Sequence, residues 1–140
     1  MKINRKEIRI EGLKNSYRYL HITDTHAGRA NLIWDDITAA ERLMEYVTYA
    51  NAQKLSGVIL TGDIIDNPSA ENLTFLKEQL ERLQVPYLYI PGNHDWAFAN
   101  NYHTEEAIHK DWPLLKPFCN GEEIFQVKRI GEITWIGIDN

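Results

Sequence analysis

The sequence predicts an α/β fold, a sheet flanked by helices, and three observations support this prediction. Segments 17–23, 57–61 and 87–90 are short and rich in apolar and β-branched residues, which is typical of strands covered on both faces. Two segments with helical spacing of apolar residues separate these strands. The chain of 140 residues has no repeat or low-complexity linker, so it fits one domain with one hydrophobic core.

The two helices are predicted from Asp36 to about Leu55 and from Ser69 to Leu83. In both segments apolar residues recur at steps of three and four, which places them on one helix face. Ser69 follows Pro68 and is a good N-cap residue for the second helix. The order strand, helix, strand, helix, strand favours parallel strands joined by right-handed crossovers.

The last part of the chain is predicted to contain a short helix at 104–110 and a β-hairpin. The hairpin strands are predicted at 123–130 and 133–139, and Gly131 and Glu132 form the turn between them.

The composition argues against several classes of protein. With 15 basic and 20 acidic residues the net charge is −5, which gives a nucleic-acid partner no support. The single cysteine, Cys119, excludes an internal disulfide and a thiolate zinc cluster. No apolar run reaches membrane-spanning length, and no export signal precedes the first strand. We therefore expect a cytoplasmic protein without a membrane partner.

Polar residues follow each of the three predicted strands. The first strand is followed by DTH at 24–26, the second by GDIID at 62–66 and the third by PGNHD at 91–95. Ligands of open α/β sheets bind outside the carboxyl ends of the strands, so we expect these three loops to converge on one crevice.

The side chains in these loops are suited to metal binding. Carboxylate, amide and imidazole donors without cysteine favour ions of the Mn, Fe or Zn type. Asp24 and His26 are two residues apart, so they face the same side of an extended segment and can chelate one ion. A carboxylate such as Asp63 can bridge two ions, which two-metal hydrolases hold about 3.5–4 Å apart.

The motifs DTH, GDIID and GNHD, in this order and spacing, resemble the first three motifs of the calcineurin-like metallophosphoesterase superfamily. The resemblance runs from roughly Tyr17 to Asp95, and WIGIDN at 135–140 is similar to the family's next core strand. It implies the N-terminal half of a four-layer α/β/β/α sandwich, with a mixed sheet and flanking helices. It also implies an enzyme that hydrolyses phosphomonoesters or phosphodiesters through a dinuclear metal site and a metal-bound hydroxide.

The resemblance further implies which residues bind the two divalent ions. Asp24 and His26 match the ligands of the first metal, Asp63 matches the bridging ligand, and Asn93 matches a ligand of the second metal.

Two residues match the catalytic positions of the family. His94 is expected to contact or protonate the phosphate ester, and Asp66 matches the acid that pairs with this histidine. A carboxylate on one imidazole nitrogen fixes the tautomer and raises the share of imidazolium. Gly92 is expected to let the backbone turn between the sheet and the site.

The chain departs from the family pattern after the third motif. The family's later motifs, a Gly-His pair and a Gly-His-x-His triplet, supply three histidine ligands and are absent from residues 1–140. We therefore expect a single partial domain without its C-terminal half, and little activity from these residues alone. The uncovered sheet should pair in a homodimer or with the missing half.

Several alternatives remain open at this stage. The fold could serve as a non-catalytic protein-binding scaffold, or the chain could be a nuclease subunit acting on DNA or RNA. Arg29 could contact a phosphate or be solvated. His21 is expected to be a core histidine. Four aromatic residues could stack on a base or cover the mouth of the site, namely Trp34, Trp96, Phe98 and Tyr102.

Overall fold

The computed structural model describes residues 3–29, 37–96, 112–119 and 125–138 of the chain. Strands β1 (Tyr19–Thr23), β2 (Gly57–Thr61) and β3 (Tyr87–Ile90) form a parallel sheet in the order β1-β2-β3. The prediction of parallel strands in alternation with helices is confirmed.

Two helices connect the strands and cover one face of the sheet. Helix α1 (Ala39–Ala52) begins later than predicted, because Thr38 and Glu41 form a capping box that fixes its first turn. Helix α2 (Ala70–Arg82) has the predicted N-cap, since the Ser69 hydroxyl accepts a hydrogen bond from the Asn72 N–H group.

The two faces of the sheet carry different apolar sets, as expected from the alternation of side chains along a strand. The helix-covered face forms the main core. Its buried members include Ile22, Val58, Leu60, Tyr89, Leu43, Val47, Leu76 and Leu80. The other face has a smaller buried set of Ile59, Leu88 and Ile90, with Tyr19 and Trp135 packed on it.

A β-hairpin covers part of this second face. Its strands, β4 (Gln126–Ile130) and β5 (Ile133–Gly137), are antiparallel and shorter than predicted, and the predicted turn at Gly131 and Glu132 is confirmed. The Trp135 ring packs edge-on against Tyr19, with ring centroids 4.8 Å apart. The described residues therefore form three layers: helices, parallel sheet and hairpin.

Some sequence predictions differ from this structure. The hairpin is a separate two-stranded sheet, so the described residues form no mixed sheet, and the four-layer sandwich stays a prediction. His21 is exposed rather than buried in the core, and its Nε2 atom lies 2.6 Å from the Thr61 hydroxyl oxygen on the next strand. The predicted helix at 104–110 lies outside the described residues. Within the described ranges no helix has the length and apolar character needed to cross a bilayer.

α3 (Asn93–Trp96) is a single helical turn directly after β3, and it brings the third motif to the edge of the sheet.

Candidate metal centre

The three motif loops converge at the carboxyl edge of the sheet, as predicted. The loop after β1 continues the pairing with the loop after β2, because the N–H groups of Asp24 and His26 donate to the Gly62 and Asp63 carbonyls at 3.1 and 2.8 Å. The Gly62 N–H in turn donates to the Ile90 carbonyl at 2.9 Å. Backbone hydrogen bonds therefore fix the relative positions of all three loops.

Three of the candidate metal ligands have a left-handed backbone conformation. The φ angles are 53° at Asp24, 48° at His26 and 48° at Asp63. Residues other than glycine rarely adopt this conformation, and when they do the strain is often at a functional site. The expectation of an extended Asp-x-His segment is therefore wrong. The two side chains share one side because both backbones turn.

Asp24, His26 and Asp63, the residues that the resemblance assigns to the first metal, lie together in a first cluster. One ligand atom from each residue lies within 4.8 Å of the others. The His26 Nε2 atom is 3.7 Å from the Asp63 Oδ2 atom. Asp24 is exposed and accepts a hydrogen bond from the Thr23 hydroxyl. Two carboxylates and an imidazole fit a divalent ion of the Mn, Fe or Zn type.

Asp63 is fixed by the third loop. Its Oδ1 atom accepts the His94 N–H at 2.9 Å, which leaves the Oδ2 atom directed at His26. Asn93, the predicted ligand of the second metal, precedes His94 and is exposed at the start of α3. Among the described residues its side chain has no hydrogen-bond partner.

His26, Asp66 and His94 form a second cluster, whose ligand atoms also lie within 4.8 Å of one another. The rings of the two histidines are perpendicular, with centroids 4.6 Å apart. His94 Nδ1 lies 3.0 Å from the Asp66 backbone carbonyl and 3.5 Å from its Oδ1 atom. The structure thus brings the predicted pair together, but the nearer contact uses the carbonyl rather than the carboxylate.

The Asp66 carboxylate is closer to two residues of the first loop. Its Oδ1 atom lies 2.7 Å from Arg29 Nη2, 3.0 Å from Arg29 Nε and 3.3 Å from His26 Nδ1. Arg29 is therefore paired rather than solvated, although its side chain is 41% exposed. A phosphate contact of Arg29 stays a prediction.

Asp95 is a residue of this site that the sequence reasoning missed. Its carboxylate is fully buried and accepts three backbone N–H groups, from Gly92 at 2.7 Å, Ile65 at 2.9 Å and Ile64 at 3.3 Å. Burial raises the pKa of the Asp95 carboxyl to about 6, although the hydrogen bonds act in the opposite direction. Asp95 ties the second loop to the third. The position of Asp95 at the end of the GNHD motif could have identified it from the sequence as a residue of this site.

Trp96 is the one of the four candidate aromatic residues that lies within the described ranges. Trp96 is 2% exposed and belongs to the main core, where its ring lies 5.9 Å from Trp112. The suggestion that Trp96 faces a base is therefore wrong. Trp34, Phe98 and Tyr102 lie outside the described residues.

Comparison with known proteins gives one family and several relatives. The profile of the calcineurin-like phosphoesterase family matches residues 17–137. A probable glycerophosphodiester phosphodiesterase GpdQ of Arcobacter nitrofigilis is 34% identical over 110 residues, covering 68% of this chain and 40% of the relative. A probable cyclic nucleotide phosphodiesterase of Fibrobacter succinogenes is 30% identical over 106 residues, covering 74% and 41%.

A further relative is a DNA double-strand break repair protein, Mre11 of Saccharolobus solfataricus. It is 29% identical over 118 residues, covering 79% of this chain and 31% of the relative. The chain thus spans less than half of the length of each of these curated relatives.

Proposed function

Because the chain belongs to the calcineurin-like phosphoesterase family, we propose that it hydrolyses phosphoesters with two divalent metal ions bound around Asp63. The observation that carries this proposal is the convergence of Asp24, His26 and Asp63, whose ligand atoms lie within 4.8 Å of one another. In this proposal Asp24 and His26 hold the first ion, Asp63 bridges, and Asn93 contributes to the second. Ions of this type lower the pKa of an attacking water and offset negative charge on the phosphate.

His94 is proposed as the proton donor to the leaving oxygen. A carbonyl oxygen can only accept a hydrogen bond, so the contact of 3.0 Å with the Asp66 carbonyl places a proton on Nδ1 of His94. Nε2 is then the nitrogen left for the substrate. When the ring is protonated, Nε2 carries the hydrogen that the leaving oxygen needs.

A phosphodiester is the favoured substrate class. Two of the relatives are named as probable phosphodiesterases, one of glycerophosphodiesters and one of cyclic nucleotides. The likeness to the DNA repair protein Mre11 supports a second candidate, a nuclease subunit. The net charge of −5 favours a small diester over a nucleic acid. A non-catalytic scaffold is the weaker alternative, because protein binding alone does not require the metal-ligating carboxylates and histidines that converge at this site.

A partner for the hairpin is also part of the proposal. Val127 and Ile136 face each other across β4 and β5, and they are 51% and 64% exposed. Such a pair favours burial against another sheet layer, either from a segment that carries the family's later motifs or from a second copy in a homodimer.

The test separates metal uptake from hydrolysis. Asp63→Asn removes one charge but tolerates the left-handed backbone, so it should keep the fold and lose the divalent ion. The matched control is Glu78→Gln, the same change of charge at an exposed site on α2. Calorimetric titration with Mn²⁺ measures the affinities. A wild-type chain that takes up no divalent ion would overturn the metal centre.

Hydrolysis of bis(p-nitrophenyl) phosphate with Mn²⁺ is the second readout. The later histidine motifs are absent from the 140 residues, so we expect slow turnover unless a segment with these motifs is added. This segment is joined in the same chain or supplied as a separate one. Turnover in that form should be lost in Asp63→Asn and retained in Glu78→Gln. Equal rates in both variants would exclude Asp63 from the reaction.

A further inference from the structure

Arg29, Asp66 and His26 form a continuous polar chain at the edge of the first cluster. Both Nε and Nη2 of Arg29 donate to the same Asp66 Oδ1 atom, at 3.0 and 2.7 Å. That oxygen is also 3.3 Å from His26 Nδ1. A guanidinium that donates twice holds a carboxylate more rigidly than a single charge can.

The backbone of the first loop brings Arg29 back over His26. The Arg29 N–H donates to the His26 carbonyl at 3.1 Å, which closes a tight turn. Gly28 in this turn has a φ of +100°, and a Cβ atom on it would lie 2.1 Å from the Asn72 side chain. The turn is therefore fixed against α2, and Arg29 is placed by the fold.

Two neighbours compete for the Nδ1 atom of His26. The Asp66 Oδ1 atom, in an ion-pair contact at 3.3 Å, can only accept a proton. The Arg29 Nη2 atom, also at 3.3 Å and with hydrogen-bond geometry, can only donate one. Pairing with Asp66 places the proton on Nδ1 and leaves a lone pair on Nε2. Pairing with Arg29 gives the opposite tautomer, with an N–H group at Nε2.

Only the first tautomer suits the cluster that Nε2 faces. Nε2 lies 3.7 Å from Asp63 Oδ2, within the set of Asp24, His26 and Asp63. A nitrogen that carries a hydrogen cannot bind a cation, whereas a carboxylate on the opposite nitrogen is the usual support of a metal-binding histidine.

We propose that Arg29 and Asp66 are positioning residues for His26. Arg29 holds the Asp66 carboxylate, Asp66 accepts the Nδ1–H of His26, and the Nε2 lone pair is thereby directed at the metal position. This inference rests on the proposed metal centre. It assigns Arg29 to the metal side of the site rather than to the substrate phosphate.

The first test reads the tautomer of His26 in metal-free protein. The chain has five histidines, so long-range ¹⁵N–¹H correlation spectra can be assigned by single substitutions. Spectra are recorded with chelator at about pH 8.5, where free imidazole is neutral. We expect Nδ1–H in the wild type and a shift towards Nε2–H in Asp66→Ala, since Arg29 is then the remaining partner. A wild-type spectrum with Nε2–H would overturn the proposal.

The second test measures Mn²⁺ affinity by calorimetry in Arg29→Ala, Arg29→Lys and Arg18→Ala. Loss of such a supporting residue typically weakens metal binding by about 10–100-fold. We expect this loss in Arg29→Ala and a smaller loss in Arg29→Lys, because lysine keeps the positive charge but lacks the paired N–H donors of the guanidinium. Arg18→Ala is the matched control, because Arg18 is exposed and precedes β1 at the opposite end of the strand.

The outcome also separates this inference from the proposed function. Unchanged Mn²⁺ affinity in Arg29→Ala, with weaker binding of inorganic phosphate, would overturn the positioning role in favour of a substrate contact. If the tautomer and the Mn²⁺ affinities change as expected but no phosphoester is hydrolysed, the positioning role is supported and the proposed function is not. Amide spectra of each variant establish that the fold is retained, and Arg29→Lys serves where Arg29→Ala does not fold.

Discussion

Gly92 lies so close to Asp63 that a Cβ atom on Gly92 would come within 2.4 Å of both the amide nitrogen and the Oδ1 atom of Asp63. The same Cβ would be 2.6 Å from the Cα atom of Gly62. Gly92 does not have a positive φ angle, so the backbone conformation at this position does not itself require a glycine. The glycine is needed because two loops of the site are in backbone contact.

Replacing Gly92 by alanine should therefore damage both the fold and the metal centre. The second and third loops must separate to accommodate the methyl group, at a cost of about 1–3 kcal/mol in the free energy of unfolding. Because Asp63 moves with its loop, we expect Mn²⁺ affinity to fall as well. Urea denaturation and calorimetric titration measure the two effects.

Gly12→Ala is the matched control for this substitution. Gly12 has a φ of +87° but no atom within 4 Å of an added Cβ. The Gly12→Ala variant should therefore lose about 1 kcal/mol in the free energy of unfolding and keep its Mn²⁺ affinity. Retention of full Mn²⁺ affinity in Gly92→Ala would show that the contact between the loops is not required for the site.

The left-handed backbone of Asp24 predicts that this residue is strained and lowers the stability of the fold, while its carboxylate is kept for the metal site. Glycine adopts a φ of 53° without strain and alanine does not, so Asp24→Gly should be about 1 kcal/mol more stable than Asp24→Ala. Both variants should lose the first metal ion. Thermal and urea unfolding in the presence of chelator give the comparison.

The neighbouring Thr23 provides the control, because it lies in β1 with ordinary strand geometry. There the order should be reversed, with Thr23→Gly less stable than Thr23→Ala. The two pairs of variants thus test the backbone conformation itself. A glycine that destabilises equally at both positions would contradict the strain at Asp24.

Much of the fold could be predicted from local patterns. The segments predicted at 57–61 and 87–90 agree with β2 and β3, because a strand covered on both faces is a continuous apolar run. The convergence of the three motif loops followed from the parallel order alone. Element ends were less predictable. The start of α1 depends on a reciprocal pair of hydrogen bonds between Thr38 and Glu41.

The interior of the site was harder to predict because its contacts join residues far apart in the sequence. Asp95 binds N–H groups of Ile64 and Ile65, some thirty positions earlier. Likewise the Asp66 carboxylate lies nearer to Arg29 than to His94. A motif gives the identity of these residues, but only the packing of loops decides which oxygen faces which donor.

Asp95 should make stability depend on pH in the metal-free protein. Its pKa is raised from 3.8 to about 6 in the folded state, so the folded protein holds this proton more tightly than the unfolded chain. Its contribution to stability is therefore full below pH 3.8 and is lost as the pH rises through about 6. The difference in pKa corresponds to about 3 kcal/mol.

Asp95→Asn isolates this contribution, because asparagine does not titrate. Urea unfolding of both proteins from pH 3.5 to 7.5, with chelator, should show the wild type losing stability relative to the variant as the pH rises. The variant should also have a lower free energy of unfolding than the wild type, since an amide group offers one acceptor oxygen where the carboxylate offers two. A constant difference across this pH range would exclude a raised pKa for Asp95.

His94 should affect turnover far more than metal binding. Its N–H group binds Asp63 through the backbone, so His94→Ala keeps that hydrogen bond and should keep most of the Mn²⁺ affinity. The imidazole is lost, and general acid assistance is typically worth about 10²–10⁴-fold in rate. A matched control is His21→Ala, because His21 is exposed and contacts Thr61 within the strands.

The leaving group distinguishes proton donation from any other role of the ring. An ester of p-nitrophenol expels a stable anion and needs little protonation, whereas an alkyl ester needs a proton on its leaving oxygen. In a form extended by a segment with the later histidine motifs, His94→Ala should therefore lose much more activity on the alkyl diester than on bis(p-nitrophenyl) phosphate. Steady-state kcat values for both substrates provide the measurement. Equal losses on both substrates would show that His94 does not donate the proton.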